Sequence, residues 1–327
     1  MVENTTKPIC YTAWNLRNLQ DIVSMCEAVA GGAEAFQRNP FAILYAEPIS
    51  PLQHIVEGTQ KLIYMSRRRL PVIYTPGMMT GAAAPITSAG GLLVANAEML
   101  SGLVISQLAG EGAPFVYGGG ITTIDMSTMS VTYASPEFML NTCALSDMAR
   151  RYRLPVFGFG ACSDSKTFDQ QAGLEGGIWV LLTALSGGNL AHDSGYINSG
   201  LTASMEMTVM NDETVGLVKR IMGGVEVSDE TLALDVIDKV GPGGHFLAED
   251  HTYRHFRANW FPKLLDRSNY DTWKENGSLT LGDRITARVK EILASHQPEP
   301  LRNEIRAKLD SIIAQAEMNI KTKGGHR

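Results

Sequence analysis

Six short apolar runs separated by helix-length segments limit what this chain can fold into more than any other feature. Each run follows a Pro or polar residue, holds a few apolar residues, and ends in small or polar ones. They lie at 7–14 (KPICYTAW), 41–47 (FAILYAE), 71–75 (PVIYT), 114–118 (PFVYG), 155–161 (PVFGFGA) and 189–193 (NLAHD). The runs are apolar almost throughout rather than alternating, which is the pattern of parallel strands buried on both faces. Between them, 18–29 repeats Leu19, Ile22, Val23, Cys26 and Val29 at helical spacing. Segments 53–64, 92–108, 136–152 and 173–185 read as helices too, the third with Ser135 as N-cap and Pro136 at its first helical position. Alternation repeated this often means α/β. Even spacing without a dinucleotide fingerprint favours a (β/α)8 TIM-type barrel over an open doubly wound sheet. Gly118-Gly119-Gly120 lacks the G-x-G-x-x-G spacing and reads as a tight strand-to-loop turn. Only six strands are legible where a closed barrel has eight.

Beyond Tyr196 the pattern changes to helices. Expected spans are 204–222, ended by Gly223-Gly224, and 229–240, with Ser228 as N-cap and 241–244 (GPGG) as its stop. Two amphipathic helices are expected over 280–320, and an irregular tail from Lys321. The expected division is a barrel over 1–260 and a helical extension over 261–327.

A net charge of −6 and a pI near 5.7 disfavour a nucleic-acid or anionic-membrane partner. The apolar stretch 81–109 comes closest to a membrane span but is punctuated by polar residues and Glu98. Cys10, Cys26, Cys143 and Cys162 form no C-x-x-C pair, so reduced thiols and a cytoplasmic location are expected.

The stretch from Leu154 to Tyr196 concentrates the candidate chemistry. His192 and Asp193 close one expected strand, at the end where a barrel carries its functional loops; a satisfied core histidine is the plainer reading. Asp164, Lys166, Gln171 and Glu175 follow the preceding strand. Gln171 and Glu175 share a helix face at i, i+4, where capping is the plainer role. Lys166 would suit a Schiff-base lyase or aldolase only if desolvated, and the neighbouring Asp164 and Asp169 argue for scaffolding instead. Tyr45 (with Glu47), Tyr74, Tyr117 and Phe159 come from four strands and, if they reach one mouth, would make an aromatic cage for a quaternary ammonium; wall packing is the alternative for each. His245, His251 and His255 look like a metal cluster, but the glutamate of H-E-x-x-H is missing, so structural hydrogen bonding and no bound metal are expected.

Four long motifs, ACSDSKTFDQQAGLEG, ALSGGNLAHDSGY, SGLTASMEMTVMNDETVGLVKRIMGG and VGPGGHFLAEDHTYRHFRANWFPKLLDR, resemble the trimethylamine methyltransferase (MttB-like) superfamily in order and spacing. The resemblance spans roughly residues 7–290. It implies a (β/α)8 barrel with C-terminal helices, and a methyl transfer from an amine to the cobalt of cobalamin (corrinoid) carried by a separate corrinoid-binding protein. Members are usually longer at the N-terminus by one or two βα units, so the chain is expected to be an N-terminally truncated barrel, poorly stable alone and covered by a homo-oligomer partner. No pyrrolysine is written, which places the resemblance with the branch acting on glycine betaine and related quaternary amines. His192 and Gln171 are then expected to anchor a carboxylate or other polar handle of the substrate. The alternatives are the Schiff-base lyase and a truncated paralogue that only binds the amine or the corrinoid protein.

Overall fold

All six apolar runs become strands of one parallel sheet. The computed structural model describes residues 1–324, with side chains to residue 320. In chain order the elements begin β1 (Ile9–Tyr11), α1 (Leu16–Ala30), α2 (Ala33–Arg38), β2 (Ala42–Ala46), α3 (Val56–Arg67), β3 (Val72–Tyr74), β4 (Gly77–Thr80) and α4 (Ser88–Ala109). They continue as β5 (Phe115–Gly118), β6 (Gly120–Asp125), β7 (Ser130–Thr132), α5 (Pro136–Tyr152), β8 (Val156–Phe159), α6 (Gln170–Leu185) and β9 (Leu190–His192). The main sheet has the order β1-β2-β3-β5-β8-β9, with every pair parallel. The order never reverses, so the sheet has no topological switch point. It curls into a half-barrel whose edges, β1 and β9, each pair on one side only. Among the described residues the closed eight-stranded wall expected from the sequence does not form.

Side-chain direction follows the strand period of two. On the concave face Ile43, Tyr45, Ile73, Val116 and Phe157 meet. On the convex face Leu44, Val72 and Tyr74 pack against Leu19, Leu62 and Met65 of α1 and α3. Helix α4 has the length and composition to cross a membrane, and its Ala95 and Met99 pack here with Tyr117.

A second sheet was not foreseen. Strands β4 and β6 run parallel, continuing beyond β3 and β5, and β7 returns antiparallel to β6. The glycine triplet is therefore a strand-to-strand junction rather than a turn into a loop. Gly118, at φ +131°, lies so near β8 that a Cβ would sit 1.9 Å from the Phe157 carbonyl oxygen.

The remaining elements are a small hairpin, β10 (Tyr196–Ile197) and β11 (Thr202–Ala203), and then α7 (Met205–Met222), α8 (Asp229–Leu232), α9 (Leu234–Val240), α10 (Asp250–His255), α11 (Tyr270–Glu275), α12 (Leu281–Ser295) and α13 (Asn303–Gly324). The helix expected over 229–240 is broken at Ala233, which takes a left-handed φ of 50° between α8 and α9. Ser228 caps it as expected. Ile285 of α12 packs with Met207 and Met210 of α7, and α13 lies along α1. The expected irregular tail is helical as far as Gly324; its residues 325–327 lie outside the described residues.

Candidate functional site

The concave face opens into a cavity of about 790 Å³ lined by residues of both edge strands, among them Cys10 of β1 and His192 of β9. Its wall includes Tyr45, Tyr133, Phe157, Phe159 and Tyr196. Phe159 and His192 are partners in the β8–β9 register and so share a face. The His192 ring stacks on Phe157, with centroids 4.1 Å apart and planes 11° from parallel. Phe159 lies 4.0 Å away at 55°, and Tyr45 completes the group at 6.3 Å.

The edge of the imidazole is fixed as well. His192 Nδ1 lies 2.6 Å from Asp193 Oδ1, while Nε2 is buried without a protein hydrogen-bond partner. With Asp193 ionised, Nδ1 carries a proton, and Nε2 accepts a hydrogen bond when the ring is neutral or donates one when it is charged. Backbone geometry holds this pair in place. Asp193 (φ 65°) and Ala161 (φ 63°) both take left-handed conformations just beyond the ends of neighbouring strands. The Ala161 carbonyl accepts from Gly195 N and from the buried Asn211 Nδ2.

Asp193 supplies the one carboxylate among the described lining residues of the cavity. No Lys or Arg appears among its described lining residues. Burial, and then the Asp193 carboxylate, push the Tyr133 phenol up to about 12. Desolvation, with Asp193 second, pushes the Cys10 thiol up to about 11. Burial and then the Glu47 carboxylate, which accepts a hydrogen bond from Tyr45 Oη, raise the Tyr45 phenol well above the usual tyrosine range. At neutral pH these hydroxyls and the thiol stay protonated.

The residues expected to form the site part company here. Tyr45, Phe159 and His192 come together. Tyr74 and Tyr117 do not: both are fully buried on the convex face. Tyr74 meets His54 Nδ1 at 2.8 Å, and Tyr117 donates to Asn96 Oδ1 at 2.9 Å. Asp164 accepts from the backbone N–H groups of Tyr133 and Ala134 and from Ser199 Oγ. Glu175 accepts from Ser163 Oγ, Asp164 N and Gln171 Nε2. These three polar residues thus tie the β8–α6 loop together, and none of them lines the cavity. Lys166 is exposed and donates to the Asp164 carbonyl at 2.7 Å, without the desolvation that a Schiff-base lysine needs.

Asp193, singled out in sequence beside His192, lines the cavity, whereas sequence reasoning missed Phe157, Cys10, Tyr133 and Tyr196 as site members. Phe157 carried a usable signal, since it stands two residues from Phe159 on one strand. Tyr133 carried none, because a loop after the unforeseen β7 delivers it.

The site is thus an aromatic cavity with one lining carboxylate, Asp193, between the open edges of a half-barrel. The family model of the trimethylamine methyltransferases (MTTB) matches residues 1–321, and the chain belongs to that family. Trimethylamine methyltransferase MttB of Desulfitobacterium hafniense is 37% identical over 96% of this chain and 63% of its own length. The enzyme of the same name from Methanosarcina barkeri is 35% identical over 97% and 66%. Glycine betaine methyltransferase of Desulfitobacterium hafniense is 34% identical over 96% and 66%. The chain therefore spans a little under two thirds of the length of these curated relatives.

Proposed function

We propose that the chain carries the amine site of a methyltransferase that moves a methyl group from a quaternary or tertiary amine of the glycine betaine type to the cobalt of a corrinoid carried by a separate protein. Residues 1–260 form the methyltransferase domain, with the curved wall within 9–192, and 261–327 form an extension whose described residues are largely helical and pack against it. The observation that supports this most is the single arrangement at β9: a buried, unpartnered His192 Nε2 beside an aromatic wall.

The division of labour follows from the chemistry. The acceptor, a reduced corrinoid, brings the attacking electron pair. As the new bond to the methyl carbon forms, the C–N bond breaks and its electron pair stays on nitrogen. A quaternary amine thus leaves as a neutral tertiary amine, and no proton donor is needed. Positive charge on nitrogen is lost in the transition state, so a carboxylate pressed against it would stabilise the ground state more and slow transfer. Aromatic faces hold a cation with less penalty. Tyr45, Phe157 and Phe159 suit that task. In its imidazolium form His192, held by Asp193, donates from Nε2 to a substrate carboxylate and orients the methyl group.

The test is a methyl-transfer assay with purified protein, cob(I)alamin and a panel of betaines and tertiary amines, following methylcobalamin by absorbance. Product with a betaine, and none without protein, supports the reading. No product with any amine of the panel overturns it.

A further inference from the structure

We propose that Glu230, His251 and His255 form a divalent-metal site of the zinc type, clipping α8 to α10. The two histidines stand at i, i+4 on α10, with ring centroids 4.3 Å apart. In sequence the pair lacks the glutamate of H-E-x-x-H, but the fold supplies Glu230 from the first turn of α8. One ligand atom from each of the three lies within 4.8 Å of the others. His255 Nε2 is 3.0 Å from Glu230 Oε1, and His251 Nε2 is 3.0 Å from the Glu230 carbonyl oxygen. Zinc bonds of about 2.0–2.2 Å to nitrogen and oxygen put the ligand atoms of a tetrahedral site about 3.4 Å apart. Small rotamer changes close the remaining gap, because these side chains are open to solvent: 55% for Glu230 and 39% for His255. Two neutral imidazoles and one carboxylate leave a fourth position for water. In the metal-free form Arg254 Nη1, 3.0 Å from Glu230 Oε1, balances the carboxylate. The ion would displace that half-exposed guanidinium.

The surroundings give the clip a purpose. None of α8, α9 or α10 contains a buried residue, and Leu234, Ile237 and Tyr253 are exposed. A segment without an apolar core of its own is the kind that a metal cross-link stabilises.

The full chain, freed of metal with a chelator, is titrated with Zn2+ alone by calorimetry. The site predicts one saturable equivalent, lost in His255→Ala and bound at least tenfold more weakly by Glu230→Gln, with both variants keeping the wild-type thermal melt. Absence of a saturable equivalent in the wild type, or unchanged binding in both variants, overturns the site. Zn2+ should also slow tryptic cleavage after Lys239 severalfold in the wild type but not in His255→Ala. Equal rates with and without Zn2+ in the wild type overturn the clip.

Discussion

His192 and Asp193 are consecutive residues that face one another, Nδ1 to Oδ1 at 2.6 Å. This is possible because Asp193 leaves the strand in a left-handed conformation, φ 65°. The turn brings the carboxylate to the edge of the imidazole, while Phe157 and Phe159 cover the ring. Nε2 is left buried without a protein hydrogen-bond partner.

His192→Ala should therefore raise the dissociation constant for glycine betaine tenfold or more, on the order of 1.4 kcal/mol. Isothermal calorimetry measures this without the corrinoid partner. A betaine affinity equal to that of the wild type would remove His192 from the substrate site.

The aromatic wall makes a separate prediction. Phe159→Leu keeps apolar volume but loses the π face, so it should weaken glycine betaine binding by about 0.5–2 kcal/mol. The isostere 3,3-dimethylbutanoate, which keeps the carboxylate but has a neutral carbon in place of the ammonium nitrogen, should bind wild type and variant alike. Equal losses for both ligands would mean that the ring contributes shape alone.

Asp164 accepts from two backbone N–H groups and a hydroxyl, and that arrangement assigns it to the scaffold. Asp164→Ala strands those donors at a cost of about 1–3 kcal/mol. The midpoint of urea unfolding should fall accordingly, while the betaine dissociation constant of the folded fraction stays within about twofold. The opposite outcome, lost affinity at unchanged stability, would return Asp164 to the substrate site.

These residues show what the sequence could and could not reveal. The six strands were legible because each is a short β-rich apolar run punctuated by Pro and Gly. That same richness hid their orientation. A strand apolar on both faces has no alternation, so nothing local said that Tyr45 turns to the cavity while Tyr74 and Tyr117 turn to the helices. Strand β4, GMMT, escaped because it is four residues long, opens on a glycine and is separated from the end of β3 by only two residues. Glu175 and Gln171 were placed correctly on one helix face, where Gln171 donates to Glu175, but only the fold shows that Glu175 also accepts from Ser163 and Asp164. The Glu230 that completes the histidine pair lies 21 residues from His251, beyond the reach of any local motif.

Cys10 reports on the charge in the cavity. Its thiol is raised from 9.0 to about 11 by desolvation first and by Asp193 second, and the thiolate is the reactive form. Two pH units of displacement leave about a hundredfold less thiolate at pH 8, so site-resolved alkylation by iodoacetamide should be slow there and climb until about pH 11. An anion nearby raises the value, so Asp193→Asn should lower the midpoint while leaving it above 9.0. A wild-type midpoint near 9.0 would contradict both the desolvation and the carboxylate contact.

Gly102 is the last test, because two effects of opposite sign meet there. It lies inside α4, where alanine would favour the helix by about 0.5–1 kcal/mol. Yet a Cβ at Gly102 would stand 2.3 Å from Tyr74 Cδ1. The fully buried ring is held by its hydroxyl against His54, so it cannot withdraw freely, and overpacking costs about 1–3 kcal/mol. The clash should win, and Gly102→Ala should lower stability in urea unfolding. Behind Tyr74→Leu, which removes the ring, the same substitution should become neutral or stabilising, a coupling that a double-mutant cycle measures. If Gly102→Ala stabilises the wild type by the helix term alone, Tyr74 does not pack against α4 as described, and its place on the convex face falls with it.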